Sequence, residues 1–332
     1  MTARPLPAGR TRAWHLAAGT ALLAVLAAAS LFVGVGDVTP AGLFDGRGED
    51  VRLLVESRLP RLLAILLAGT AMSVAGLVMM HITANRFVSP STAGTTESAT
   101  LGVLVATLLA GGEAVIVKMA VAVACALAGT FFFMAILRRL TFRDMILVPL
   151  VGIMFGGVLG AATTFVAYRA DLLQSLGAWT SGDFSAVLRG RYELLWIAGA
   201  VTLLGYLYAD RFTVTGMGRS FAVNLGVRYD RVVNTGLVLA SVITAVVVVT
   251  VGEIPFVSLI VPNLVTLALG DNLRHVLPVT ALAGALFVLV CDVAGRLVRF
   301  PYEIPVSTVL GVVGGAVFLA LLLRGGRRMG VR

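Results

Sequence analysis

The sequence predicts an all-α integral membrane protein of about ten transmembrane helices with both termini on the cytoplasmic side, and three observations predict it. Hydrophobic residues fill 58% of the 332 positions and charged residues only 13%, for a mean hydropathy of +0.97. A soluble globule of that composition would leave far too much apolar surface in water. Apolar runs recur between short polar breaks, close to the roughly 20 residues an α-helix needs to cross a hydrocarbon layer about 30 Å thick. Finally, 26 basic residues stand against 17 acidic ones, and the basic excess collects in alternate connections.

The apolar segments are 14–35, 59–82, 95–110, 114–137, 145–168, 194–209, 232–251, 256–269, 278–298 and 304–323. The first follows Arg4, Arg10 and Arg12, which leaves a cytoplasmic tail over 1–13. Its apolar run is longer than the core of a secretory signal, so it reads as a retained helix. Segments 95–110, 194–209 and 256–269 are short for a full crossing and are expected to be tilted, partly unwound or buried among neighbours. With the N-terminus inside, the inner connections hold most of the arginines and the outer ones most of the carboxylates, as the positive-inside rule requires. The net charge of +9 is therefore a mark of topology. The lipid bilayer is the partner it implies; no soluble basic domain is present to bind nucleic acid.

No linker divides the chain, so residues 1–332 read as one transmembrane domain. The outer connection 36–58 is polar and acidic. The inner connection 210–231, "DRFTVTGMGRSFAVNLGVRYDR", mixes glycines, arginines and isolated apolar residues, which suits short helical turns at the surface. Phe221, Val223, Leu225 and Val227 are too few to span a bilayer but enough to seat in an apolar groove, and Gly226 permits a break through positive φ. Gly152, Gly156 and Gly160 in the fifth segment, and Gly311 and Gly315 in the tenth, recur at fourfold spacing, which opens one helix face to another helix or to a large solute.

The chemistry absent from the sequence is equally informative. Its one lysine, Lys118, follows Val117, whereas a phosphate-binding Walker A loop needs lysine directly after glycine. His15, His81 and His275 lie on separate segments, and Cys125 and Cys291 are isolated in apolar runs, so no metal site, disulfide or cofactor is indicated. The serines and glutamate of "TTESAT" have no accompanying base. Among ionisable residues beside the spans, Glu97, Glu253, Asp292 and Arg296 stand out, and Asp292 and Arg296 are one turn apart and able to pair. None is clearly central in a span, which weighs against an ion-coupled secondary carrier, the alternative from another class.

Four stretches in order give the chain a resemblance to the FecCD-type permease subunits of ABC importers for iron-siderophore complexes, haem or cobalamin. "RLPRLLAILLAGTAMSVAGLVM" resembles that family's second helix, and "NRFVSPSTAGTTESATLG" its NPLADPxxLGxxxGAxLG segment. "GEIPFVSLIVPNLVTLALGDNLRHVLP" is similar to its GxIxFVGLxxPHxxR stretch, and "CDVAGRLVRFPYEIPVSTVLGVVGGAVFLALLLR" to its DxxAR and ELPxGxxTxxxGxPxFxxLL ending. Arg86, Ser98 and Asn263 depart from the family's usual proline, glycine and histidine. In this the chain looks like the branch for catecholate-type siderophores, which often pairs two different permeases.

The resemblance implies a type II importer permease fold in the cytoplasmic membrane and transport of a ferric siderophore, with cobalamin or haem as alternative cargo. It also implies a second permease subunit (a copy or a paralogue), two cytoplasmic ATPase subunits and an extracytoplasmic siderophore-binding protein. The family's outer docking arginines match Arg58, Arg61 and Arg296. Its inner gate matches the region of Asn85 and Pro90 and the loop at 138–144, and its pathway-lining helices carry Gly152, Gly156, Gly160, Gly311 and Gly315. Its ATPase-contacting loop matches 217–231, with Met217, Gly218, Arg219, Phe221, Leu225, Gly226 and Arg228. Because the only lysine lies outside any P-loop, the purified chain is expected to hydrolyse no ATP by itself. ATP turnover above background by the isolated subunit, free of contaminating ATPases, would contradict this.

Overall fold

In hydrocarbon every backbone N–H and C=O must be satisfied within the protein, and an α-helix does this inside one segment. The apolar runs of this chain accordingly form helices in the computed structural model, which describes residues 8–34, 48–109, 114–139 and 147–329. The helices are α1 (Ala8–Ser30), α2 (Gly48–Leu53), α3 (Leu59–Ile82), α4 (Thr95–Leu109), α5 (Val115–Arg139), α6 (Leu147–Arg169) and α7 (Leu173–Thr180), followed by α8 (Leu195–Leu207), α9 (Ala209–Gly216), α10 (Arg219–Asn224), α11 (Tyr229–Val251), α12 (Val257–Leu269), α13 (Leu273–Leu297) and α14 (Val306–Met329). A π-helical turn, Leu54–Arg58, joins α2 to α3. Among the described residues there is no strand.

Each apolar segment read from the sequence falls on a helix. α1 begins at Ala8, inside the stretch expected as a tail, and α13 begins at Leu273, ahead of Pro278. That proline sits near the helix start, and the first N–H of α13, that of Leu273, is satisfied by the Thr213 hydroxyl at 3.0 Å. Five helices are long and apolar enough to cross a membrane, and a sixth if Tyr192–Leu207 and Ala209–Gly216, bent by 63° at their junction, count as one span. Leu16–Ser30, Thr95–Leu109, Val257–Leu269 and Val306–Leu321 are shorter apolar helices.

α3 is the hub. It packs against α8, α9, α11, α12 and α13, and its apolar window is 78% buried, against 28% for α5 and 22% for α6. Pro60 is the second residue of α3, directly after the π-helical turn in a helical run continuous from Gly48 to Ile82. A row of small residues then lets neighbours approach the backbone: a side chain on Gly69 would lie 2.7 Å from the Gly284 carbonyl of α13, and one on Gly76 would lie 1.7 Å from the Ser258 carbonyl of α12. Ser73 Oγ donates to the Thr280 carbonyl of α13 at 3.0 Å. On the other flank, buried hydroxyls tie three helices together. Thr95 of α4 and Thr130 of α5 share a 2.8 Å hydrogen bond, and Ser241 of α11 reaches Thr130 at 3.0 Å. Lipid tails cannot drive helix association through hydrophobic burial, so close backbone approach and polar contacts carry it.

Gly69, Gly76 and Gly284 are thus packing glycines that fourfold spacing in the fifth and tenth segments did not mark. Gly76→Val should force α3 and α12 apart and destabilise the protein by about 1–3 kcal/mol or more, whereas Gly157→Ala, which meets nothing within 4 Å, should be nearly neutral. Thermal unfolding of the two purified variants in detergent checks the contrast; equal melting temperatures would refute the hub packing.

Candidate functional site

α3 carries functional groups at both ends. Its 24 residues separate the groups by about 36 Å at 1.5 Å per residue, which is a bilayer's width. At its first end Arg58, Arg61 and Arg296 come together. Arg61 Nη2 lies 2.8 Å from Asp292 Oδ1, and Arg61 Nη1 lies 2.6 Å from Glu303 Oε2. Arg296 pairs with the other Asp292 oxygen, across one turn of α13. Arg296 Nη1 also donates to the carbonyls of Ser30 and Val33, each at 3.0 Å, and Arg58 donates to Val33 as well. Ser30 ends α1 and Val33 lies in the turn after it, and cations at a helix C-terminus interact favourably with the dipole. The first helix is thereby fastened to α13.

The sequence reading expected these three arginines to meet a partner from an exposed outer surface. The structure instead buries them, at 9%, 8% and 3% exposure for Arg58, Arg61 and Arg296. Asp292 and Glu303 draw Arg61 inward, Asp292 also takes Arg296 across one turn, and Arg58 turns to the Val33 carbonyl.

At the other end of α3, Ala84 takes positive φ (48°) and turns the chain into a loop. Asn85 is buried and accepts the Phe87 N–H at 2.9 Å. Pro90, also buried, accepts the Thr95 N–H that begins α4, at 3.1 Å. His81 bridges the Leu77 and Asp271 carbonyls at 2.9 and 3.1 Å, and Arg86 pairs with Asp271 at 3.1 Å. Asn263 Nδ2 donates to the Arg86 carbonyl at 2.7 Å. Two departures from the family pattern, Arg86 and Asn263, therefore meet each other. A cavity of about 500 Å³ opens here, lined by His81, Arg86, Thr213, Met217 and Asp271. The second gate segment expected at 138–144 lies largely outside the described residues.

The glycine faces divide into two kinds. Gly152 packs on the loop after α3, where a side chain would lie 1.9 Å from the Thr92 carbonyl, and Gly156 packs on the Glu97 carboxyl at 3.0 Å. Gly160, Gly311 and Gly315 have nothing within 4 Å and face open space. Phe318, between these last glycines and the end of α14, was not singled out in the sequence. Its ring centre lies 6.2 Å from that of Phe87, edge to face, and 6.5 Å from that of Phe256, so it joins the loop after α3 to the start of α12. Phe256 itself has φ 64°, a strained setting for a bulky residue.

Glu253, in the connection between α11 and α12, is pushed up to about 7 from its ordinary 4.5 by burial first and then by the Glu97 carboxylate. A folded-state value above the unfolded one means that this group stabilises the fold when protonated, and that the contribution is lost as pH rises from 4.5 through 7.

Between the bent span and α11 lies the connection expected to contact an ATPase. Its first part, Ala209–Gly216, continues the bent span, and the short helix is α10. Gly218 and Gly226 flank α10 with φ of 106° and 75°, which L side chains rarely adopt. Met217, Phe221 and Leu225 project outward, exposed at 63%, 46% and 58%. Arg219 pairs with Asp230 at 3.0 Å and lies over the Tyr229 ring, while Arg228 is exposed.

An all-helical bundle with a buried hub helix, an ionic cluster at one end and a polar loop with an exposed apolar turn at the other is the architecture of a multi-span membrane protein. The profile of the FecCD transport family matches residues 22–324, and the chain belongs to that family. It is 50% identical over 303 residues to the petrobactin import system permease protein YclN of Bacillus subtilis, covering 91% of this chain and 96% of the relative. It is 43% identical to the ferric-anguibactin transport system permease protein FatD of Vibrio anguillarum, covering 91% and 96%. The vitamin B12 import system permease protein BtuC of Escherichia coli is 32% identical, covering 92% and 93%. A solved inward-facing structure of a metal-chelate type ABC transporter superposes with a TM-score of 0.78 at 22% identity, covering 93% of this chain and 98% of that one.

The ionic cluster generates a prediction. Removing one partner from a buried ion pair costs about 3–5 kcal/mol, against about 0–1 kcal/mol at a surface pair. Asp292→Asn should therefore lower the melting temperature far more than Asp271→Asn, whose bridge to Arg86 is well exposed. Similar losses in the two variants, measured side by side in the same detergent, would refute a structural role for Asp292.

Proposed function

We propose that this chain is the transmembrane permease subunit of an ATP-binding cassette importer that moves a ferric siderophore across the cytoplasmic membrane. The observation that carries the reading is the identity of 50% and 43% to petrobactin and ferric-anguibactin permeases over nearly the full length of each. The vitamin B12 permease stands further off, at 32%, which favours iron chelates over cobalamin. Iron wrapped in its chelator needs no ligands from the protein.

In this reading the chain crosses the bilayer ten times: five long helices, the bent span, and four shorter apolar helices. Both termini are cytoplasmic. The permease pairs with a second permease subunit, either a copy or a paralogue, and the sparsely buried α5 and α6 offer apolar surface for that subunit and for lipid. Two ATPase subunits bind on the cytoplasmic side, and hydrolysis belongs to them. An extracytoplasmic binding protein delivers cargo to the outer face, which the rigid cluster of Arg58, Arg61 and Arg296 underlies. The pathway runs along the open glycines Gly160, Gly311 and Gly315, with Gly152 and Gly156 behind it. The loop at Asn85 and Pro90 gates its inner end.

Coupling to the ATPases falls to Met217, Gly218, Arg219, Phe221, Leu225, Gly226 and Arg228. Exposed apolar side chains on a turn pinned by two positive-φ glycines are suited to seat in a groove on a partner, and an interface anchor lost to charge costs about 2 kcal/mol or more. Radioiron uptake by a strain lacking the chain, complemented with wild type or with Leu225→Asp, tests both levels. Wild type should restore uptake of a ferric siderophore, and the variant should insert normally yet lose ATPase co-purification and uptake. Restored cobalamin uptake with no chelate uptake would overturn the cargo; native ATPase association in the variant would overturn the coupling turn.

A further inference from the structure

At the junction of the bent span with α11 a concavity of about 450 Å³ opens beside the coupling turn, with Tyr208, Val227 and Val232 in its lining. Three exposed arginines, Arg211, Arg228 and Arg231, ring it. Arg211 lies 5.0 Å from the centre of the Tyr208 ring, which holds it at the rim. The nearest carboxylates in the chain are committed elsewhere: Asp210 to Arg274 at 2.7 Å, and Asp230 to Arg219 at 3.0 Å. Among the described residues, Arg211, Arg228 and Arg231 make no ion pair. Three like charges around one hollow repel one another, and an anion seated between them would relieve the repulsion.

The surface next to the hollow indicates which anion. Leu203, Leu204 and Leu207 share one side of α8 and are exposed, and α8 ends at Tyr208, in the lining of the hollow. Apolar surface leading directly into a basic pocket at the end of a membrane helix matches the order in which a phospholipid presents acyl chain and then phosphate. The apolar anchors of the coupling turn, Phe221 and Leu225, are not in the lining. Gly226 and Arg228 of that turn do line the hollow, so a protein partner seated on Phe221 and Leu225 would border it.

We propose that the concavity ringed by Arg211, Arg228 and Arg231 binds the phosphate-bearing headgroup of an anionic phospholipid, whose acyl chains lie along the exposed leucines of α8. The site requires only that the chain lie in a bilayer, and it stands whatever the cargo.

The test is native mass spectrometry of the full-length protein extracted from vesicles of phosphatidylglycerol and phosphatidylcholine, comparing wild type with the double variant Arg211→Gln and Arg231→Gln. Wild type should retain phosphatidylglycerol selectively. The variant should lose about thirtyfold of that preference, about fivefold for each arginine removed. The matching double variant to lysine, which keeps the charge, should retain most of it and shows that loss in the glutamine variant is not misfolding. An unchanged preference in the glutamine variant would overturn the proposal. Displacement of the lipid by millimolar inorganic phosphate would reassign the hollow to a free anion. Loss of ATPase co-purification with lipid retention intact would reassign the arginines to the ATPase interface.

Discussion

The Asp292 carboxylate holds the two halves of the molecule in register. One oxygen takes Arg61 at the start of α3 and the other takes Arg296 on its own helix, while Arg296 reaches on to the last carbonyls of α1. A carboxylate so deeply buried is tolerable only because two guanidinium groups and their hydrogen bonds offset its lost hydration. The same contact sets α3 against α13, and the Gly69–Gly284 approach and the Ser73 hydrogen bond to Thr280 continue that seam inward. Once the hub helix is placed, its far end carries Asn85, Arg86 and the inner loop to the opposite face.

That far end shows how two sequence departures become one structural feature. A proline at position 86 has no side-chain cation, and a histidine at 263 lacks the amide that satisfies the Arg86 carbonyl and the Leu259 carbonyl together. With arginine and asparagine in place, the loop after α3 is tied to α12 through Asn263 and to the α12–α13 junction through Asp271. Phe318 adds α14 to the same knot through Phe87 and Phe256. An inner loop held by three separate elements can respond to movement in any of them.

The exposed surfaces divide the remaining work. Lightly buried α5 and α6 contrast with the enclosed α3 and α11, so apolar surface lies on one flank and the core on the other. Beyond the bent span an apolar turn and a basic hollow lie next to each other. Different chemistry suits them to different ligands, a groove in a protein and a phosphate at the membrane surface.

Composition and run length alone determined that the chain is a helical membrane protein, and placed each apolar segment on what proves to be a helix, because the bilayer leaves the backbone few options and the 3.6-residue helix satisfies itself locally. The four family motifs likewise pointed to the FecCD transport family, and the spacing of Asp292 and Arg296 foretold their pairing across one turn. What only the tertiary structure decided is which small residues meet a neighbour and which charges are buried. Fourfold spacing marked Gly152, which meets the Thr92 carbonyl, but also Gly160, Gly311 and Gly315, which face open space, and it missed the close approaches at Gly69, Gly76 and Gly284. Arg61 read as an exposed cation until Asp292 and Glu303, more than 200 residues away in the chain, enclosed it. Helix formation depends on contacts within four residues and is written in local sequence, whereas burial of a charge or a glycine depends on which distant segment the fold brings alongside.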